Sequence, residues 1–170
     1  DIGTVLRAGA DKVSLNTAAI RNPKLIEEAA LFYGSSTIVV SIEVIKQNDG
    51  KHLAFIDNGR EHTGVEVLEW IKQIQNMGAG EIVLTSVDRE GTGEGFDIEL
   101  LEKVCPEISV PLVVHGGASS LLNIKKAINK GADAIALASM LHYKAIDELK
   151  QDTSFNEEEG NRSFLKRKGK

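Results

Sequence analysis

Gly78-Ala79-Gly80-Glu81-Ile82-Val83-Leu84-Thr85-Ser86-Val87-Asp88-Arg89-Glu90-Gly91-Thr92-Gly93-Glu94-Gly95-Phe96-Asp97 is the stretch from which the rest of the chain can be read. Residues 81–87 form a short β-branched and apolar run after a glycine-rich break, which predicts a strand buried on both faces, as in a parallel sheet. The second half is polar. Asp88, Arg89 and Glu90 place three charges where the strand ends, and Gly91, Gly93 and Gly95 let the backbone turn tightly and approach a ligand. A buried strand running into a charged glycine loop predicts a ligand-binding βα loop.

The same strand is written three times. Residues 9–17, 78–86 and 131–139 share the frame Gly-Ala, two residues, Val/Ile, one residue, Leu, one residue, Thr/Ser. That is a repeat of βα units. Each copy opens with glycine after a helical segment, as a helix C-cap should, and closes on a small hydroxyl at the carboxyl end of its strand, where hydroxyls and backbone N–H groups can bind phosphate.

With 170 residues, 42% of them apolar and 5% aromatic, the chain is expected to form one globular unit around an aliphatic core. The net charge of −5 argues against nucleic acid or a membrane surface as partner, since phosphate-backbone binding needs a basic face. A single cysteine, Cys105, excludes a disulfide within the chain and suits a reducing compartment. The apolar runs are too short to span a bilayer. A cytoplasmic protein is expected.

Around the three repeats the pattern alternates strand and helix. Residues 1–8 are helical in pattern, 11–16 a strand, and Asn22-Pro23 marks a helix to Tyr33 with Leu25, Ile26, Ala29, Ala30 and Phe32 as its buried stripe. A long strand over 37–45 precedes a hairpin turn at 47–50, a return strand over 52–56, a second turn at Asn58-Gly59 and a helix over 63–77. Beyond the central strand, 97–104, 121–129 and 140–150 read as helices, and 111–114 and 134–139 as strands. Strands alternating with helices imply a parallel α/β sheet, and the triplicated strand favours a (β/α)8 barrel over a doubly wound sheet. Five parallel strands fall three short of eight, so residues 1–150 are expected to supply the carboxyl-terminal five βα units of a barrel. Residues 151–170 are expected to be a polar tail, half acidic and half basic.

Gly116-Gly117 and Ala138-Ser139 follow the last two expected strands, where barrel proteins commonly hold a phosphate. Paired glycines just before a helix N-terminus favour an anion, because orphan N–H groups and the helix dipole both point at it. Asn16-Thr17 lies four units earlier, nearly opposite across a barrel, so a substrate with a phosphate at each end would span the two. The plainer alternative is that these residues are small only for close helix–strand packing. Glu43 stands in an otherwise apolar strand, where an unpartnered carboxylate is costly, so it is expected to face a wet pocket or a partner. Asp88 and Glu90 are further acid/base candidates, or solvated loop charges. His115 is a candidate general base or phosphate donor, whereas His142 reads as a capping or core histidine and His52 and His62 flank the hairpin. Cys105 is expected to be inert. No metal-ligand spacing is visible, and no cofactor is expected.

With Ala10-Asp11-Lys12-Val13-Ser14-Leu15-Asn16-Thr17-Ala18-Ala19, Leu84-Thr85-Ser86-Val87-Asp88-Arg89-Glu90-Gly91-Thr92, Gly116-Gly117-Ala118 and Leu137-Ala138-Ser139 in view, residues 1–150 resemble the cyclase subunit of imidazole glycerol phosphate synthase. The resemblance implies a (β/α)8 barrel lyase of histidine biosynthesis. Such an enzyme takes ammonia from a glutaminase partner and combines it with a ribulosyl formimino carboxamide ribonucleotide bearing two phosphates. Its products are imidazole glycerol phosphate and an aminoimidazole carboxamide ribonucleotide.

Carried over by position, the resemblance implies Asn16 and Thr17 at one phosphate and Gly91, Gly117, Ala138 and Ser139 at the other. It implies Glu43 at the second catalytic aspartate of the family, with the first on a strand outside residues 1–170. It further implies Lys12 and Glu81 in the charged ring through which ammonia enters, and Asp11 on the surface that meets the glutaminase. Glu43 stands where the family has Asp, Glu90 stands where its loop has Asp, and His115 stands where a small residue precedes Gly-Gly. Two other readings therefore stay open: an ammonia-using paralogue of the kind found with surface-polysaccharide genes, making amidino sugars, and a non-catalytic scaffold for a glutaminase.

Overall fold

Chain order and sheet order coincide in the parallel part of this protein. The computed structural model describes residues 1–151. The elements run α1 (Ile2–Arg7), β1 (Val13–Leu15), α2 (Thr17–Arg21), α3 (Lys24–Tyr33), β2 (Ile38–Lys46), β3 (His52–Ile56), β4 (Glu61–Glu66) and α4 (Val67–Asn76). They continue β5 (Glu81–Ser86), α5 (Ile98–Val104), β6 (Leu112–His115), α6 (Leu121–Asn129), β7 (Ala134–Ile135) and α7 (Ser139–Gln151). Parallel ladders join β1 to β2, β2 to β5, β5 to β6 and β6 to β7. Each of these strands thus neighbours the next parallel one in sequence, the wiring of a (β/α)8 barrel rather than the reversed order of a doubly wound sheet. The fold is α/β, with five parallel strands as the sequence predicts, although the last is only Ala134–Ile135 rather than 134–139, and Ser139 already opens α7.

The core lies between the helices and one face of that sheet. Leu15, Ile38, Val40, Ile42, Val44, Ile82, Leu84, Leu112 and Val114 form one cluster with Ile26, Ala29, Trp70, Ile71, Ile74, Leu100, Leu101, Val104 and Ala127 from α3 to α6. The opposite face carries Ser14, Ser41, Glu43, Glu81, Thr85 and His115, whose registers place them in rows across β1, β2, β5 and β6. This corrects the expectation that β5 is buried on both faces. Ile82 and Leu84 are sealed, but Glu81 and Val83 are only half-buried. The helices pack on one side, and the polar residues of the other face need no apolar cover.

The Gly-Ala start of each repeat has a physical cause. Gly9, Gly78 and Gly131 have φ of 108°, 94° and 109°. The following alanine N–H groups reach back over the helix end, Ala10 to the Val5 carbonyl, Ala79 to Ile74 and Ala132 to Ala127. This Schellman closure needs a left-handed residue, which glycine adopts without a Cβ penalty.

Three expectations need correction. Residues 63–66 belong not to a helix but to β4, an antiparallel partner of β3, and the helix starts at Val67, with Glu66 accepting from the Leu68 and Glu69 N–H groups. A short helix, α2, precedes α3, and α3 begins at Lys24 after Pro23. Phe32 is 79% exposed instead of buried, because the buried stripe of α3 runs through Ile26 and Ala29 and has turned away by the last turn.

Two compact units divide the chain, Asp1–Met140 and Leu141–Lys170. The sheet belongs to the first. In the described part of the second, the exposed His142 lies 5.9 Å from the Tyr143 ring, so it is not a core residue. The polar tail, apart from Gln151, lies outside the described residues.

Candidate functional site

The polar residues of the open sheet face gather at the carboxyl ends of the strands. Glu43 on β2 is in register with Thr85 on β5, and Thr85 with His115 on β6. Neighbouring strands lie about 4.8 Å apart, so the three side chains form one row roughly 10 Å long. Thr85 Oγ1 lies 3.3 Å from His115 Nδ1.

Glu43 meets the expectation of a partner through a backbone group. Its Oε2 accepts from the Gly59 N–H at 2.8 Å. That amide is aimed by the turn joining β3 to β4, where Asp57, Asn58 and Gly59 have φ of 54°, 58° and 73°. The turn is tied down on its other side, since the Asp57 N–H donates to Thr17 Oγ1 at 3.2 Å. Arg21 on α2 binds both Asp57, at 3.3 Å, and Glu61, at 2.8 Å.

At the ends of β6 and β7 the chain forms a shallow, solvent-open cleft, whose lining includes Gly91, His115, Gly117, Ala138 and Ser139. Gly91, Gly117, Ala138 and Ser139, expected at one phosphate, are therefore brought together. The close approach of neighbouring backbone supports the packing explanation of the glycines. A Cβ on Gly116 would lie 2.5 Å from the Ser86 carbonyl oxygen, and one on Gly117 would lie 2.2 Å from that of Gly95. Any side chain there would clash with backbone. Ser139, in the cleft's lining, is also the first residue of α7.

Asn16 and Thr17 sit elsewhere, at the end of β1, with β2, β5 and β6 between them and β7. Asn16 Oδ1 is buried without a hydrogen-bond partner among the described residues. At the amino ends of the strands, Lys12 Nζ and Glu81 Oε2 pair at 2.5 Å, and Asp11 is exposed.

The remaining candidates separate by environment. Asp88 Oδ2 accepts from the Lys46 N–H at 2.8 Å, which ends the β2 ladder, and Glu90 is exposed, so both behave as loop residues. His62 packs edge-on against Phe55. His52 is buried between Lys103 and Asp97, and burial, then the Lys103 charge, push its imidazole below its ordinary value. Burial, then the Asp133 carboxylate, push the Cys105 thiol up, which keeps it protonated and unreactive. Sequence reasoning misses Thr85, Gly59 and Arg21. Alternation along β5 marks Thr85, since it shares a face with Val83, but the other two act through contacts made far from their own segment.

Over residues 1–147 the chain matches the family described as histidine biosynthesis protein. It belongs to that family. Imidazole glycerol phosphate synthase subunit HisF of Pyrobaculum aerophilum is 43% identical to it over 146 residues, which make up 86% of this chain and 57% of that relative. The protein is HisF-like, and it spans little more than half the length of that relative.

Proposed function

We propose that this protein provides the cyclase chemistry of an imidazole glycerol phosphate synthase, in which ammonia from a glutaminase subunit closes an imidazole ring on a substrate with two phosphates. The observation that carries the reading is the row Glu43, Thr85 and His115, flanked by the Gly117–Ser139 cleft on one side and Asn16-Thr17 on the other. A two-phosphate substrate anchored at both ends would lie along that row. Glu43 is the acid/base group for ring closure, a task usually worth roughly 10²–10⁴-fold in rate. The Lys12–Glu81 pair stands at the amino ends of the strands, the side from which ammonia would enter, and Asp11 beside it is open to a glutaminase. No helix among the described residues is long and apolar enough to cross a membrane.

His115 favours one alternative, an ammonia-using paralogue acting on a phosphorylated or nucleotide-linked sugar, because it adds an imidazole to the cleft. Supplying ammonium directly with the ribulosyl formimino carboxamide ribonucleotide separates the two. The cyclase reading requires formation of imidazole glycerol phosphate. No turnover from protein that still binds the substrate would overturn the cyclase reading in favour of the paralogue or the non-catalytic scaffold.

A further inference from the structure

The cleft beyond β6 and β7 has one ionisable side chain in its lining, His115, and every other lining residue is Gly, Ala, Leu, Met or Ser. We propose that His115 is the specificity-determining donor of this cleft, selecting a phosphate monoester and holding it most tightly when the imidazole is protonated. The proposal rests on the reading of the cleft as a phosphate site.

The ring is fixed for that role. Nδ1 is taken up by the Thr85 hydroxyl, and Thr85 is 7% exposed, so the contact is screened from water. Nε2 makes no hydrogen bond among the described residues and remains for a ligand. A hydroxyl suits both charge states. Towards neutral imidazole it donates to Nδ1, leaving the ring proton on Nε2; towards imidazolium it accepts from Nδ1–H, and Nε2–H is again a donor. A donor is thus offered to the cleft in either form, and the cationic form adds charge assistance.

Charge nearby leaves this role to His115. Glu43 stands beyond Thr85 on β2, and Asp88, Glu90 and Glu94 lie in the loop after β5. Arg89, the cation of that loop, is paired to Glu94 at 3.1 Å. The segment from β7 to Met140 carries no charge, nor do Ser119, Ser120 and Asn123 at the start of α6. Among the lining residues, only backbone dipoles and Ser139 would remain to hold an anion without His115.

The test follows the imidazole signals of the four histidines by NMR in the full chain, with and without inorganic phosphate, with His115→Gln assigning the His115 signal. The titration midpoint of His115 should rise by about one pH unit at saturating phosphate, because a tenfold preference of the ligand for the cationic ring is by linkage a one-unit shift. His115→Gln keeps a neutral donor at nearly the Nε2 position. It should lose about tenfold in phosphate affinity at pH 6 and little at pH 8, the titration of phosphate itself being common to both proteins. Thr85→Val, nearly isosteric, should weaken binding less than His115→Gln does. Phosphate that binds the wild type while the His115 midpoint stays put, or an unchanged pH 6 affinity in His115→Gln, overturns the role given to His115. A folded wild type that binds no phosphate overturns the phosphate reading of the cleft itself, and this inference with it.

Discussion

The Gly59 N–H donates to the Glu43 carboxylate at 2.8 Å, so a turn between two antiparallel strands holds the acid/base candidate of the neighbouring parallel strand. The side-chain length of Glu43 has a use in this setting. Shortened by a methylene, the carboxylate would retreat from the Gly59 amide by roughly 1 Å, a displacement that can cost about 100-fold when positioning is the mechanism. Glu43→Asp is therefore expected to lower turnover, and Glu43→Gln to abolish most of it, both with substrate affinity nearly unchanged. Steady-state kinetics with ammonium supplied directly measures both. Turnover of Glu43→Gln at the wild-type rate would remove Glu43 from the chemistry.

Gly59→Ala probes the same contact from the other side. Gly59 has φ of 73°, and an added Cβ would meet the Val87 methyls at 3.0 and 3.2 Å. A left-handed alanine costs about 1–2 kcal/mol. The melting temperature should fall by several degrees, since about 1 kcal/mol corresponds to roughly 2–4 °C in a protein of this size. The rate constant for turnover should fall further than this loss of stability explains, as the shifted turn re-aims the residue 59 N–H away from the Glu43 carboxylate. Equal losses in the unrelated turn variant Gly50→Ala would argue that the Gly59 effect is only structural.

The Gly117–Ser139 cleft makes its own prediction. A ligand that binds only the folded state adds RT ln(1 + [L]/Kd), about 2.7 kcal/mol at 100 times Kd. Inorganic phosphate or a bisphosphate sugar should therefore raise the melting temperature of the wild type, and Ser139→Asp, which puts a like charge in the lining, should erase the rise. A ligand-induced shift of wild-type size in Ser139→Asp would place the phosphate elsewhere.

What the sequence tells and what it hides divide along a physical line. The Gly-Ala frame is legible because a Schellman turn is local: glycine at left-handed φ, and an amide reaching back five residues. The cleft glycines are legible as a Gly-Gly pair, but the cause of each is distant in sequence: the Ser86 carbonyl beside Gly116 and the Gly95 carbonyl beside Gly117. Strand β4 is not, because Val65, Leu68 and Ile71 continue a helix-like spacing, whereas the pairing that makes 61–66 a strand is with β3 across a left-handed turn. The Glu43 partner is hidden likewise, since no spacing in the chain tells that residue 59 folds back over residue 43. The row Glu43, Thr85, His115 depends on register between three strands, which the sequence leaves unstated although each residue is visible in it.

The Lys12–Glu81 pair should matter little to stability. Its side chains are 47% and 19% exposed, and pairs that open to solvent are typically worth under about 1 kcal/mol. Lys12→Met should leave the melting temperature within about 3 °C of wild type. If the pair guards the passage of ammonia, the variant should change the ratio of glutamine-driven to ammonium-driven turnover measured with a glutaminase subunit present. An unchanged ratio would leave Lys12 and Glu81 as a surface ion pair alone.

Buried His52 makes stability depend on pH. Its relative exposure is 2%, Nε2 lies 3.9 Å from Asp97 and Nδ1 lies 3.5 Å from Lys103 Nζ. Burial, then the Lys103 charge, lower its affinity for a proton in the fold, and the Asp97 and Glu99 carboxylates only partly offset this. The unfolded chain, with an ordinary imidazole near pH 6.5, therefore takes up the proton first. By linkage the stability is full above about pH 6.5 and falls as the pH drops through that value towards the folded one. Glu99 does not share this window, because its hydrogen bonds to Lys46 and then Lys103 hold it at about 2. Its contribution is present above the unfolded carboxylate range and is lost only as the pH falls towards about 2. Between pH 7.5 and 5.5 the melting temperature should therefore fall, with His52→Gln flattening the dependence and Lys103→Met reducing it by removing the second cause. Thermal melts of the three proteins at both pH values decide the matter, and a His52→Gln slope equal to that of the wild type would assign the acid sensitivity to some other group.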